Sequence, residues 1–100
     1  MRIKKNEIEA IKNVANVVFG PGTIVQLFGS RVNDSLKGGD IDLLIHSNHQ
    51  LSSTEQYRFK IKFLVQLKKA IGDQKIDVLL KGKHNQIFIE TIEEENIITL

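Results

Sequence analysis

A chain of 100 residues suits one domain, 1–100, and leaves no room for two. Its composition, 41% hydrophobic and 26% charged, is that of a globular protein, and the absence of cysteine excludes disulfides and thiolate metal sites. No stretch approaches the roughly 18 apolar residues of a membrane span, and no apolar run follows the charged start as in a signal peptide; the formal net charge of +2 indicates no nucleic-acid-sized patch, and the expected location is the cytoplasm.

Apolar residues at three- and four-residue spacing, from Ile8 through Ile11, Val14, Ala15 and Val18, predict an amphipathic helix over about 5–19. Gly20-Pro21-Gly22 stops it. Thr23 to Phe28 is short, apolar and β-rich and reads as a buried strand closed by Gly29. Arg31 to Gly39 is polar and reads mainly as loop, with room for one helical turn. Asp40 to Ile45 is a second strand, and Ser53 or Thr54 is the expected cap of the next helix. That helix runs from Glu55 to Ile71 with an apolar stripe of Phe59, Phe63, Leu64, Leu67 and Ile71, and Gly72-Asp73 ends it. Lys75 to Leu80 is a third strand, Gln86 to Glu95 a last helix, and Ile97 to Leu100 a short strand or tail. The order α-β-β-α-β-α predicts an α/β fold, a small mixed sheet packed with helices.

Three features carry chemistry. Gly29-Ser30 directly follows a strand: a glycine lets backbone N–H groups approach a phosphate closely, and the serine hydroxyl can donate to a phosphate oxygen. The same two residues also fit a plain turn glycine and a cap serine. Asp40 and Asp42, two apart in a strand, project from one face with backbones about 6.5–7 Å apart. Like charges so placed suit a hard cation between them, or a solvent-facing edge that opposes aggregation. Asp77 is a lone acid in an apolar strand; beside the Asp40–Asp42 strand it completes a three-carboxylate cluster, and otherwise it is an edge residue. Together these are the parts of two-metal phosphoryl transfer, in which two ions bridge the attacking and leaving oxygens. His46, His49 and His84 lack metal spacing and read as ordinary surface residues.

Leu27-Phe28-Gly29-Ser30-Arg31, then Gly39-Asp40-Ile41-Asp42-Leu43-Leu44-Ile45, then Ile76-Asp77-Val78, resembles the signature of the minimal nucleotidyltransferases of the DNA polymerase β-like superfamily. The segment from Ile89 to Ile98 is similar to that family's final helix and terminal strand, so the resemblance covers nearly the whole chain. Nine residues separate Ser30 from Asp40, one fewer than the commonest family spacing. The resemblance implies a polymerase β palm-like core and an enzyme that moves a nucleoside monophosphate, AMP from ATP, onto an acceptor hydroxyl. It assigns two Mg²⁺ ions, or Mn²⁺, to Asp40, Asp42 and Asp77. Asp77 would serve the acceptor side, as metal ligand and general base. Gly29 and Ser30 would hold the β- and γ-phosphates, with Arg31 as a lesser phosphate contact.

The short chain suggests that a partner protein brings the acceptor. Minimal nucleotidyltransferases of this size are often paired with a small helical protein of the HEPN class, as the antitoxin that adenylylates a toxin. The alternative is a non-catalytic antitoxin of the same fold that neutralises its partner by contact alone. Modification of a small molecule such as an antibiotic would need a larger acceptor domain.

Overall fold

The computed structural model describes residues 3–32, 39–82, 85–92 and 96–100. Helix α1 spans Lys5–Phe19. Its first turn is closed by Glu7, whose Oε1 accepts from the Lys4 backbone N–H at 3.0 Å. Its end is Gly20, at φ 97°, whose N–H donates to the Asn16 carbonyl. The buried stripe Ile11, Ala15, Val18 and Phe19 follows the predicted spacing. Helix α2 spans Ser53–Ile71 and starts earlier than expected. The cap is Ser52, not Ser53 or Thr54: its hydroxyl oxygen accepts from the Glu55 N–H, and the Glu55 carboxylate accepts from the Ser52 N–H, each at 3.1 Å. This reciprocal pair needs a glutamate three residues past the cap, a condition Ser52 meets and its two neighbours do not.

Four strands form one sheet in the order β3-β2-β1-β4, with β1 Ile24–Phe28, β2 Ile41–His46, β3 Ile76–Leu80 and β4 Ile97–Thr99. β1 pairs antiparallel with β2 and β4, and β2 pairs parallel with β3 through the α2 crossover. Asp40 and Lys75 each stand one residue before their strand. Of the short strand or tail expected at the C-terminus, the strand is what forms, paired with β1. The last helix, α3, covers Gln86–Glu90 and gives way to a turn at Thr91 and Ile92; the remainder expected to be helical, 93–95, lies outside the described residues, as do 33–38 of the loop and 83–84.

Alternation divides the sheet into two faces. Val25, Leu27, Ile41, Leu43, Ile45 and Val78 point to one side and are buried under α1 and α2. There Phe19 meets Phe59 edge-on at 6.1 Å and Phe63 at 5.8 Å, and Phe63 and Leu67 are fully buried. The other side carries Gln26, Phe28, Asp42, Leu44, His46 and Asp77. This is the small mixed α/β sheet packed with helices that the sequence predicts. Among the described residues no helix is long and apolar enough to cross a membrane.

Candidate active site

Strand register decides which carboxylates meet. Asp42 lies opposite Asp77 across the parallel β2–β3 pair, and opposite Phe28 across β1–β2. Both acids therefore occupy the sheet face away from the helices, Asp42 half-buried and Asp77 exposed. Asp40, one residue ahead of β2, has its Oδ2 3.4 Å from Lys75 Nζ. The Ile41 N–H donates to the Lys75 carbonyl at 3.0 Å, which locks this edge of the site in place. Burial pushes the Asp42 carboxyl above the ordinary carboxylate range; the charges of Asp77 and Asp40 and a hydrogen bond with Asp77 add to this, against Lys75.

Gly29 joins the site from β1. It opens a single 3₁₀ turn, Gly29–Arg31, with φ +79°. A Cβ added there would stand 2.5 Å from Asp42 Oδ2. Two requirements thus fall on one residue: a backbone conformation that favours glycine, and a carboxylate in the space a side chain would fill. The sequence assigns that space to an approaching phosphate; the structure already puts the Asp42 carboxylate there. Ser30 is placed next to Gly29 by its backbone, in the same turn.

Arg31 serves the frame of the site. Its Nη2 donates to the Gly39 carbonyl at 2.8 Å, immediately before Asp40. With Ile3, Lys4, Glu7 and Gln74 it lines a cleft of about 570 Å³. Glu7 is buried there, and its Oε2 accepts from Gln74 Nε2 at 2.6 Å. Burial pushes the Glu7 carboxyl up, but hydrogen bonds from Gln74 and the Lys4 backbone, with the charges of Lys4 and Arg31, outweigh it and hold it below the ordinary value. Sequence reasoning missed Lys75 beside the carboxylates, and Glu7 and Gln74 in the cleft beside Arg31. For Lys75 a signal existed: it sits two residues before Asp77, so alternation alone puts both on one face.

The open face also carries a polar ladder across three strands. His46 Nε2 donates to Gln26 Oε1 at 2.7 Å, and Gln26 Nε2 donates to Thr99 Oγ1 at 3.1 Å. His46 is therefore a half-buried, bonded residue rather than an ordinary surface one. Burial, aided by the charge of Lys81, lowers its pKa below the ordinary imidazole value.

The donor set can be weighed for a cation. Every candidate ligand is a carboxylate oxygen, which suits Mg²⁺ or Mn²⁺ better than softer ions. Among the described residues, no group of three or more His, Cys, Asp or Glu side chains is arranged so that it could hold a metal ion. Asp42 and Asp77 face each other across the register, while the Asp40 carboxylate stands beside Lys75. Mg²⁺ commonly takes only one or two carboxylates and completes its shell with phosphate and water, so the Asp42–Asp77 pair fits that ion in chemistry.

No characterised protein matches this sequence over its length. The sequence model of the nucleotidyltransferase domain matches residues 8–99, a span that holds Gly29, Asp40, Asp42 and Asp77. With the mixed sheet and the paired carboxylates on its open face, this match shows that the chain belongs to the nucleotidyltransferase domain family, whose members transfer nucleotidyl groups.

Proposed function

We propose that this domain moves AMP from ATP onto a hydroxyl of a partner protein, and that Asp40, Asp42 and Asp77 are its catalytic carboxylates. The observation that carries this reading is the register that sets Asp42 against Asp77 beside Gly29, on the sheet face opposite α1 and α2. Asp42 would hold Mg²⁺ on the nucleotide side together with Asp40, once Asp40 is released from Lys75, and Asp77 would serve as ligand on the acceptor side. Bound there, the cation would offset phosphate charge and acidify the acceptor hydroxyl. Asp77, exposed at the edge strand, is open to an acceptor and takes its proton at a carboxylate oxygen. The acceptor oxygen forms its bond to the α-phosphorus as the bond to the bridging oxygen breaks, and pyrophosphate leaves. Gly29 and Ser30 offer backbone N–H groups to the β- and γ-phosphates at the mouth of the site. Arg31 sits one residue further on, and its hydrogen bond to Gly39 makes it a brace for Asp40 as well as a candidate phosphate contact. The partner that the resemblance to minimal nucleotidyltransferases implies is a small helical HEPN-class protein, with this chain as the antitoxin of a toxin–antitoxin pair.

The test is transfer of labelled AMP to a candidate small helical partner, scored with nucleotide affinity. Asp77→Asn removes one charge and little volume. It should leave triphosphate binding within a few-fold and lower transfer by about 10²–10⁴-fold, the usual loss with a general base. Equal transfer by variant and parent removes Asp77 from the chemistry. A second reading draws on the Lys75–Asp40 ion pair, which neutralises one of the three acids without a metal. On that reading the chain is a non-catalytic antitoxin: the parent would neutralise its partner in cells and transfer nothing.

A further inference from the structure

The outer face of α2 joins an apolar ridge to a basic border. Tyr57, Ile61 and Val65 are 69%, 44% and 49% exposed, and their four-residue spacing puts them in one row along the helix. Phe63 and Leu67 anchor the opposite side of α2 in the core, so this row looks away from the sheet. Arg58 and Lys62 border it on one side and Lys60 on the other, with Lys68 and Lys69 at its C-terminal end. Glu55 is the single acidic residue of the helix. Beside Tyr57 and Lys60 the surface continues into a groove of about 230 Å³ between α2 and the edge strand β3, floored by Val78 and Leu79.

Each alternative occupant fails on one of these observations. A row at four-residue spacing is the ridge that packs into the groove of a second helix. Cations on both flanks select a helix with acidic flanks and repel a second copy of this face. A bilayer would need a broader apolar stripe than three residues on a helix whose other side is locked in place. A nucleic acid would use the cations but leave Ile61 and Val65 without a partner.

We infer that the outer face of α2 docks an amphipathic, acidic helix of another protein. The surface goes beyond the proposed transfer reaction and is separate from its site: α2 covers the sheet face opposite Asp42 and Asp77, so a docked helix leaves the catalytic face open. The probe is a synthetic helical peptide with leucines at four-residue spacing between glutamates. Its controls are a scramble of the same composition, a version with lysine in place of glutamate, anionic phosphatidylglycerol vesicles and single-stranded RNA. Amide chemical shifts of the full chain report both location and affinity. The acidic amphipathic peptide should shift resonances along Tyr57–Lys69 and bind about tenfold or more tighter than the scramble. Ile61→Glu should erase that difference while triphosphate binding stays at the parent level, and Tyr57→Ala should weaken it. Unchanged triphosphate binding keeps failure of this surface apart from failure of the transfer reading. Equal affinity for the scramble or the lysine peptide, no binding of the acidic peptide, binding of vesicles or RNA to the same face, or self-association through it would each overturn the proposal.

Discussion

Gly29 and Asp42 stand thirteen residues apart in sequence and lie side by side in the fold, because antiparallel β1–β2 pairing puts Phe28 opposite Asp42 and leaves Gly29 just past the pair. Gly29→Ala should therefore cost stability twice. The positive φ alone is worth about 1–2 kcal/mol for an L-residue, and the new methyl drives against the Asp42 carboxylate. Urea denaturation should show the combined loss. Adding Asp42→Ala should recover the contact part and leave the backbone part, so the two changes should be less than additive. Strict additivity would mean that the contact does not matter. The three aspartates were legible as candidates from residue type and spacing. The Gly29–Asp42 contact and the Lys75–Asp40 ion pair were not, because each needs the register between two strands, which no single segment encodes.

At the scale of elements, Glu7 ties α1 to the turn after α2. It accepts from the Lys4 N–H within its own helix and from Gln74 beyond Gly72, under the charge of Arg31. Its carboxyl is held below the ordinary value of 4.5, so ionised Glu7 contributes stability that is fully present above that value and is lost as pH falls through the folded-state value. Glu7→Gln presents an amide donor that can face the Gln74 donor and leaves buried polar atoms without partners, at a cost of about 1–3 kcal/mol near neutral pH. Thermal unfolding as a function of pH should show parent and variant far apart at pH 7 and converging as the pH falls below 4.5 and through the folded-state value. A constant gap would mean that Glu7 ionisation does not stabilise the fold. Helices α1 and α2 were legible because apolar spacing runs through each and the glycine stops Gly20 and Gly72 mark their C-terminal ends. The start of α2 slipped because three consecutive hydroxyl residues, Ser52, Ser53 and Thr54, all qualify as caps until Glu55 is counted back to Ser52. The sequence predicts a longer α3 because its apolar spacing runs on past Glu90, where the Thr91 hydroxyl donates back to the Phe88 carbonyl at 2.6 Å and closes the turn.

At the scale of the whole molecule, α1 and α2 seal one face of a four-stranded sheet and the candidate carboxylates Asp42 and Asp77 stand on the other. The alternating pattern of β1, β2 and β3 made the two faces readable, but the strand order β3-β2-β1-β4 was not, since β4 is three residues long and gains its place only by pairing with β1. The two-faced plan has a thermodynamic consequence. Asp42 and Asp77 repel each other across the β2–β3 register, and the fold bears that repulsion when no cation is bound. Metal-free Asp42→Asn should accordingly melt at a higher temperature than the parent, because it removes one of the two charges at almost constant volume. Mg²⁺ with a non-hydrolysable triphosphate should reverse the order. A ligand at about 100 times its dissociation constant adds about 2.7 kcal/mol, which in a domain of this size raises the melting temperature by on the order of 10 °C. Asp42→Asn, short of one carboxylate, should gain far less, so the two melting temperatures should cross as Mg²⁺ is titrated. Removing the ion with a chelator should restore the original order, because the repulsion returns with the empty pair. If the parent and Asp42→Asn respond alike to Mg²⁺, the ion binds elsewhere and the facing carboxylates are not its site.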